Sequence, residues 1–337
     1  MLGYATLDDA SMAKTFLALA GVPASLLGML ATTVVVVAAV STRGIRRRLR
    51  YETWHGLHLL LYVALGLAFV HQLLETTTFR SSPFATAYWW ALWLLSFGAL
   101  VAGRLVVPLW RNAYHRFRVE AVVPESDDVV SVHVTGRHLD RLPARAGQFF
   151  IWRFRGHNHW WPANPFSLSS APNGRSLRLT AKAAGDASAG LRQVPVGTRV
   201  YLEGPYGAFT SMHRSRPGTL LIAGGVGITP VRALLEEELP GDVVVLYRVR
   251  TEEDAVLLDE VRQLVTARGG RLHLLTGRTG DGPPPFAPDG LRALVPDVAE
   301  RDVYVCGPPA MTSAVLASLR QLRVPNQQVH AEKFSMA

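Results

Sequence analysis

The chain has 337 residues, 49% of them hydrophobic, and a formal net charge of +9 carried almost entirely by arginine, with lysine only at Lys14, Lys182 and Lys333. A basic balance suits nucleic acid, but here the excess lies beside apolar stretches, which fits orientation in a membrane and argues against a nucleic-acid partner. The single cysteine, Cys306, excludes an intrachain disulfide and an iron–sulfur cluster held by four cysteines of this chain, so redox chemistry on this chain needs another cofactor.

The first predicted element is an uncharged apolar run over residues 16–40, and two more follow at 56–74 and 85–109, the last interrupted by Arg104. Each is long enough to cross about 30 Å of hydrocarbon as a helix. The first does not read as a signal peptide, because Asp8 and Asp9 precede it and the run is too long. Arg43, Arg46, Arg47, Arg48 and Arg50 lie between the first two runs, only Arg80 between the second and third, and Arg111, Arg116 and Arg118 after the third. The positive-inside rule then predicts a multi-pass plasma-membrane protein with everything after the third run in the cytoplasm. Tyr88, Trp89 and Trp90 would mark the outer interface and Trp110 the inner one. The second run holds His55, His58 and His71, and ionisable groups at that depth are functional candidates.

Beyond residue 112 the pattern becomes alternating short runs (FRVEAVV, VVSVHVTG, QFFIWRF, SLRLTAK, RVYLEG), which predict an antiparallel β-barrel over residues 113–215. From residue 216 to 337, strand-like TLLIAG, VVVLYR, RLHLLTG, DVYVCG and QQVHAEKF alternate with helical VRALLEEEL, AVLLDEVRQLV and AMTSAVLASLRQL. That alternation predicts an α/β doubly wound parallel sheet. His157 and His159 have the spacing of a surface chelate but read better as a polar loop.

AGGVGITP follows a predicted strand and opens a helix. Gly224, Gly225 and Gly227 would let the backbone approach a pyrophosphate, with Thr229 as N-cap and Pro230 at the first helical position. Arg248, Arg250 and Arg278 lie just after predicted strands, at the edge where such sheets bind ligands, and would grip a 2′-phosphate, favouring NADPH over NADH.

NPFSLSS, GDAS, GPYG, AGGVGITP, CGPP and HAEKF occur in one order. Together they resemble the ferredoxin–NADP reductase superfamily and, more closely, the FAD- and nucleotide-binding half of ferric reductases and NADPH oxidases. The resemblance implies that Pro165, Phe166 and Ser167 line the flavin, with Asn164 at a position where the family has Arg or His. It places Thr180, Ala181 and Lys182 on the strand beside the flavin and Gly185 to Ser188 at the FAD pyrophosphate. Gly224 to Pro230 would take the NADPH pyrophosphate, and Cys306, Gly307 and Pro308 the nicotinamide. Glu332 and Phe334 match the C-terminal carboxylate and the ring stacked on flavin; Ser167, Cys306, Glu332 and Phe334 are the catalytic candidates.

The same family holds two b-type haems between histidines of paired helices, and His58 and His71 match one ligand helix, His58 for the inner haem and His71 for the outer. Thirteen residues rise about 20 Å but fall roughly 140° short of four full turns, so a kink would be needed. His55 is an alternative. A second ligand helix is not in this sequence, and three explanations stand: membrane helices ahead of this chain, a second membrane subunit or homo-oligomer that completes the bundle, or loss of haem. The leading expectation is a membrane-bound oxidoreductase passing electrons from NADPH through FAD, and haem where present, to oxygen or ferric iron. The alternatives are a haem-less anchored NAD(P)H reductase serving a ferredoxin, quinone or flavin, and a non-catalytic subunit that completes a haem bundle.

Overall fold

The computed structural model describes residues 11–42, 51–74, 82–156, 164–237, 241–278 and 284–333. The arginine loop at 43–50, Arg80, the His157/His159 pair and Phe334 lie outside these residues. The chain divides into two compact units, residues 1–101 and 102–337.

The first unit is helical. Helix α1 (Met12–Ala20) is capped by the Ser11 hydroxyl, which accepts from Lys14 N. It stops at Gly21, and Pro23 opens α2 (Pro23–Val40). Proline has no N–H to lose at a first turn but cannot continue a helix, so the apolar run expected over 16–40 is two helices rather than one. Helices α3 (Tyr51–Leu74) and α4 (Pro83–Val101) follow. Small residues Ala24, Ala31 and Ala38 bury one stripe of α2, and Ala64 is the buried residue of α3. Their size lets helix backbones approach closely.

Among the described residues, three segments are long and apolar enough to cross a membrane: Pro23–Val40, Gly56–Leu74 and Pro83–His115. The third runs from α4 through a π-helical turn (Ala102–Val106), which contains Arg104, into α5 (Val107–His115). It therefore extends past the expected end at residue 109.

In the second unit, α5 is bolted to a barrel by Asn112. Its side-chain amide donates to Leu202 O and accepts from Leu202 N, both at 2.8 Å, taking the place of a neighbouring strand. Six strands form two three-stranded antiparallel sheets. One has the order β1 (Arg118–Pro124), β2 (Val129–Thr135), β5 (Ser176–Lys182); the other β4 (Pro165–Ser167), β3 (Phe149–Phe154), β6 (Val200–Tyr206). Single bridges Arg118–Arg199 and Leu168–Leu179 join the sheets at both edges and close the expected barrel. Alternate residues point inward, and Phe117, Phe150, Trp152, Phe154, Leu177 and Leu179 fill the interior.

The remaining strands, β7 (Gly218–Gly224), β8 (Val243–Arg248), β9 (Arg271–Leu275), β10 (Arg301–Gly307) and β11 (Val329–Lys333), form one parallel sheet in the order β11-β10-β7-β8-β9. Leu221, Val245 and Tyr247 pack on one face with residues of α7 (Ile228–Glu236) and α8 (Leu258–Ala267). Leu220, Ile222, Val244 and Leu246 pack on the other with residues of α9 (Pro288–Leu294) and α10 (Pro309–Gln321). Both faces are covered, which is why these strands are near-continuous apolar runs. The short helix α6 (Asp186–Ala189) lies between β5 and β6.

Candidate flavin and nucleotide site

The chain winds from β7 through β8 to β9, then returns to place β10 on the other side of β7. The carboxyl ends of β7 and β10 therefore flank the switch point at which such sheets bind ligands. Gly224–Gly227 turns from β7 into α7, and the three glycines have different tasks. A Cβ on Gly227 would lie 2.4 Å from Cys306 O, and one on Gly224 2.6 Å from Met311 Sδ. Gly227 lets the turn press against β10, and Gly224 lets it press against Met311 of α10, rather than admit a ligand. Gly225, at φ +52°, faces open space and is the position where a phosphate can approach the backbone. Helix α7 starts at Ile228 and is capped by Gly227 without a side-chain bond. Thr229 is thus inside the helix, donating its hydroxyl to Val226 O at 3.1 Å, and Pro230 is its third residue. The expected Thr229 cap gives way to the tight glycine turn, which leaves the first N–H groups of α7 for an anion.

At the end of β10, Cys306 is fully buried and stands in register with Ala223 on one side and Glu332 on the other. Burial pushes its thiol well up, and the Glu332 charge adds to that. Cys306 is therefore a small neutral side chain and no thiolate nucleophile. Burial also raises the Glu332 carboxyl from 4.5 to about 7, and its Oε2 has no hydrogen-bond partner among the described residues. A partly buried carboxyl with one buried, unpartnered oxygen at the ligand-binding edge of a sheet is a candidate functional group. Gly307 touches Met311 and Gly224 so closely that a Cβ would not fit.

The expected flavin wall is β4, which register pairs with β3: Phe149 with Ser167, Ile151 with Pro165. Trp152 holds it, donating its backbone N–H to Asn164 O and its indole N–H to Phe166 O, both at 3.0 Å. Pro165 is exposed and Phe166 half-buried, whereas Ser167 and Asn164 are buried. The Thr180 and Ala181 side chains, expected beside the flavin, are both buried. Ala181 packs in the barrel core, and Thr180 bonds to Ser131 at 2.7 Å and Ser169 at 2.8 Å. Strand periodicity decides this, because Leu177 and Leu179 fix which side is in. Lys182 pairs with Asp128 at 2.9 Å and holds that carboxyl below its usual range. In the loop before α6, the N–H groups of Ala184 and Gly185 converge on Ser188 Oγ at 2.9 and 3.2 Å, and a Cβ on Gly185 would meet nothing. Ser188 takes both N–H groups, and the open side of Gly185 is where an FAD phosphate oxygen can approach.

Sequence reading missed the clamp between barrel and sheet. Arg178 on β5 makes a fork to Glu260 on α8, 3.0 Å at each oxygen, and donates to Ser169 O at 2.9 Å. Arg232 on α7 bonds Glu260 at 2.7 Å, Glu236 at 2.6 Å and the same Ser169 O at 3.1 Å. Glu237 accepts from Ala146 N and Ser211 Oγ. The nucleotide helix is thereby tied to the chain two residues past Ser167. The available signal was an arginine set inside each of two apolar runs, SLRLTAK and VRALL.

Arg248, expected to grip a 2′-phosphate, donates to Thr276 O at 2.6 Å and Arg278 O at 3.2 Å. These bonds tie β8 to the segment after β9; Arg250 and Arg278 are exposed. Nothing in this geometry selects NADPH over NADH.

The two haem candidates sit in unlike places. His71 Nδ1 lies 2.6 Å from Ala24 O, and its ring rests so closely on Gly28 that a Cβ there would be 3.0 Å away. His58 is exposed and stacks on Trp54 at 5.2 Å. Among the described residues no group of three His, Cys, Asp or Glu converges as a metal site. The chemistry proposed below runs without a haem.

Residues 114–210 match the family described as FAD-binding domain, and residues 221–316 the Oxidoreductase NAD-binding domain. The chain is similar to the ferredoxin reductase component of 3-ketosteroid-9-alpha-monooxygenase from Mycolicibacterium smegmatis, 31% identical over 230 residues, 64% of this chain and 64% of that one. It is 32% identical over 202 residues to the ferredoxin–NAD(+) reductase component of the alkene monooxygenase system of Xanthobacter autotrophicus, 56% of this chain and 61% of the relative. The chain thus spans less than two thirds of these relatives' length. Among solved structures, the FAD/NAD-binding domain of nitric oxide dioxygenase from Vibrio cholerae is 26% identical with a TM-score of 0.52, covering 65% of this chain and 98% of that one. The ferredoxin reductase of carbazole 1,9a-dioxygenase is 25% identical with a TM-score of 0.53, covering 66% and 69%. Residues 114–210 and 221–316 thus carry an FAD-binding domain followed by an oxidoreductase NAD-binding domain.

Proposed function

We propose that the chain is a membrane-anchored NAD(P)H-dependent flavoprotein reductase that delivers electrons to a separate redox carrier. The observation that carries the reading is the unpartnered Glu332 carboxyl beside Cys306 at the switch point, with the flavin wall clamped to the nucleotide helix. FAD, when bound, supplies a centre that accepts a hydride and can release its electrons singly.

The chain's own residues do the rest. Gly225 and the start of α7 receive the dinucleotide pyrophosphate, and the loop at Gly185 receives that of FAD. Arg232, through Ser169 O, sets the spacing between the α7 anchor and the flavin wall, so that donor and acceptor meet in reactive geometry. Cys306 leaves room for the nicotinamide and keeps the floor of the crevice dry. Glu332 holds a proton on a buried oxygen near neutral pH and orients the nicotinamide or exchanges that proton with the flavin.

The relatives named above are reductase components of monooxygenase systems, which favours a protein acceptor such as a ferredoxin or oxygenase component. Haem, oxygen and ferric iron keep only the sequence resemblance in their support. The membrane reading rests on the three apolar segments and on exposed side chains such as Leu94 at 69% and Leu95 at 72%; polar groups of such helices are satisfied internally, as lipid requires. The arginine distribution favours the redox module on the cytoplasmic side of the plasma membrane. The test is NAD(P)H-dependent reduction of ferricyanide and of a ferredoxin by purified full chain supplied with FAD. Activity that requires FAD supports the reading; no reduction with FAD bound refutes it.

A further inference from the structure

The outward side of the barrel beside α5 is a row of arginines. Strand β3 pairs with β6 through Arg153–Tyr201 and Phe154–Val200, and the pairing continues as Arg155 N donates to Arg199 O at 3.0 Å. Arg199 in turn bridges to Arg118 at the start of β1. Phe154, Val200, Phe117 and Val119, which alternate with these positions, are buried in the core. Arg155, Arg199 and Arg118 therefore project from the same outer face of three adjacent strands.

Like charges at directly opposed positions destabilise a sheet. Among the described residues, none of the three has a carboxylate within ion-pair distance. Arg199 lies 5.2 Å over the Tyr201 ring, and Arg118 donates to Gly197 O at 2.8 Å. Glu203, on the same face, is already shared between Arg153 at 3.2 Å and Arg104 at 3.7 Å. Glu120 sits at the β1 bulge, where its charge acts on His133. The row costs the fold stability and has no ion-paired carboxylate among the described residues, which leaves its charge open to an anionic partner.

What surrounds the row says what that is. Arg111 donates to Gly204 O and Asn112 grips Leu202, so α5 is fixed along β6. The π-turn and α5 expose Leu105 at 57%, Leu109 at 67% and Trp110 at 58%. Val196, 68% exposed, is at the tip of the turn to which Arg118 bonds. Uncompensated arginines bordered by exposed aliphatic side chains and a tryptophan match the polar-to-apolar gradient of a bilayer surface.

We infer that the Arg118–Arg199–Arg155 face docks on anionic phospholipid headgroups, holding the flavin barrel against the leaflet that the apolar helices enter. The inference rests on the membrane reading above. The test is hydrogen exchange of the full chain with FAD in nanodiscs of phosphatidylcholine alone and of phosphatidylcholine with phosphatidylglycerol. The expected result is roughly tenfold or greater slowing at residues 116–120, 153–156 and 195–201 in the anionic discs only, weakened by salt and abolished in the R118Q/R155Q/R199Q variant. Removing opposed like charges should not harm folding, and the wild-type comparison of the two lipids stands without the variant. Equal exchange in both discs overturns the inference while leaving the membrane reading intact. Failure to enter either disc overturns both. Weaker FAD binding by the variant without lipid dependence assigns the face to an FAD phosphate, and protection only by an acidic carrier protein assigns it to that partner; either overturns it.

Discussion

Replacing Glu332 with glutamine isolates the raised carboxyl. Its acidity moves from 4.5 to about 7 because burial disfavours the charged form. Below pH 4.5 the carboxyl is protonated both folded and unfolded, and it has no effect on stability. As pH rises from 4.5 to about 7 the unfolded chain gives up the proton while the folded chain keeps it, so stability falls. Above 7 the loss is complete, at about 3 kcal/mol for a shift of that size. The E332Q variant lacks this loss. The assay is thermal unfolding of FAD-free full chain in detergent at pH 4.5 and pH 8, followed by intrinsic fluorescence. Relative to wild type, the variant should gain roughly 6–10 °C at pH 8 compared with pH 4.5. It should also lose an inflection near pH 7 in the rate of flavin reduction by NAD(P)H. Parallel pH dependences for the two proteins would refute the argument that Glu332 is a buried, unpartnered acid.

The glycine turn gives a contrast. G227A forces a Cβ to 2.4 Å from Cys306 O and should destabilise the sheet domain by about 1–3 kcal/mol in thermal melts. G225A meets open space at φ +52° and should cost about 1 kcal/mol while raising the KM for NAD(P)H. R232M, which releases Ser169 O and Glu260, should lower kcat roughly ten- to a hundredfold with FAD affinity little changed, read by stopped-flow flavin reduction and its deuterium isotope effect; an unchanged kcat would remove Arg232 from positioning. N112A leaves Leu202 N–H and C=O without their partner and should cost about 1–3 kcal/mol in denaturant unfolding of the barrel.

Much of this was legible from sequence because burial alternates with period two in the barrel and is continuous in the parallel sheet. TLLIAG and VVVLYR declare strands covered on both faces, and FRVEAVV and VVSVHVTG declare strands covered on one. Strand β4 did not show, since three residues beginning at Pro165 carry no period. The break at Gly21–Pro23 was invisible to hydropathy because neither residue is charged. Site glycines were recognisable as a group, but only packing separates Gly225, which faces open space, from Gly227, which faces Cys306. The clamp could not be read at all: Arg178 and Glu260 are 82 residues apart, and nothing local announces that pair. The histidines show the same limit. His71 has a local signature of ligation, and its contact through Nδ1 with Ala24 O on α2, 47 residues away in sequence, could not be read from that signature.

The most direct test of the account is anaerobic mixing of NADH or NADPH with the FAD-loaded full chain while the flavin absorbance is followed. The account predicts rapid bleaching, slowed in R232M, and recovery of the absorbance on adding an oxidised ferredoxin-type carrier. A flavin that stays oxidised in excess of both nucleotides would contradict it.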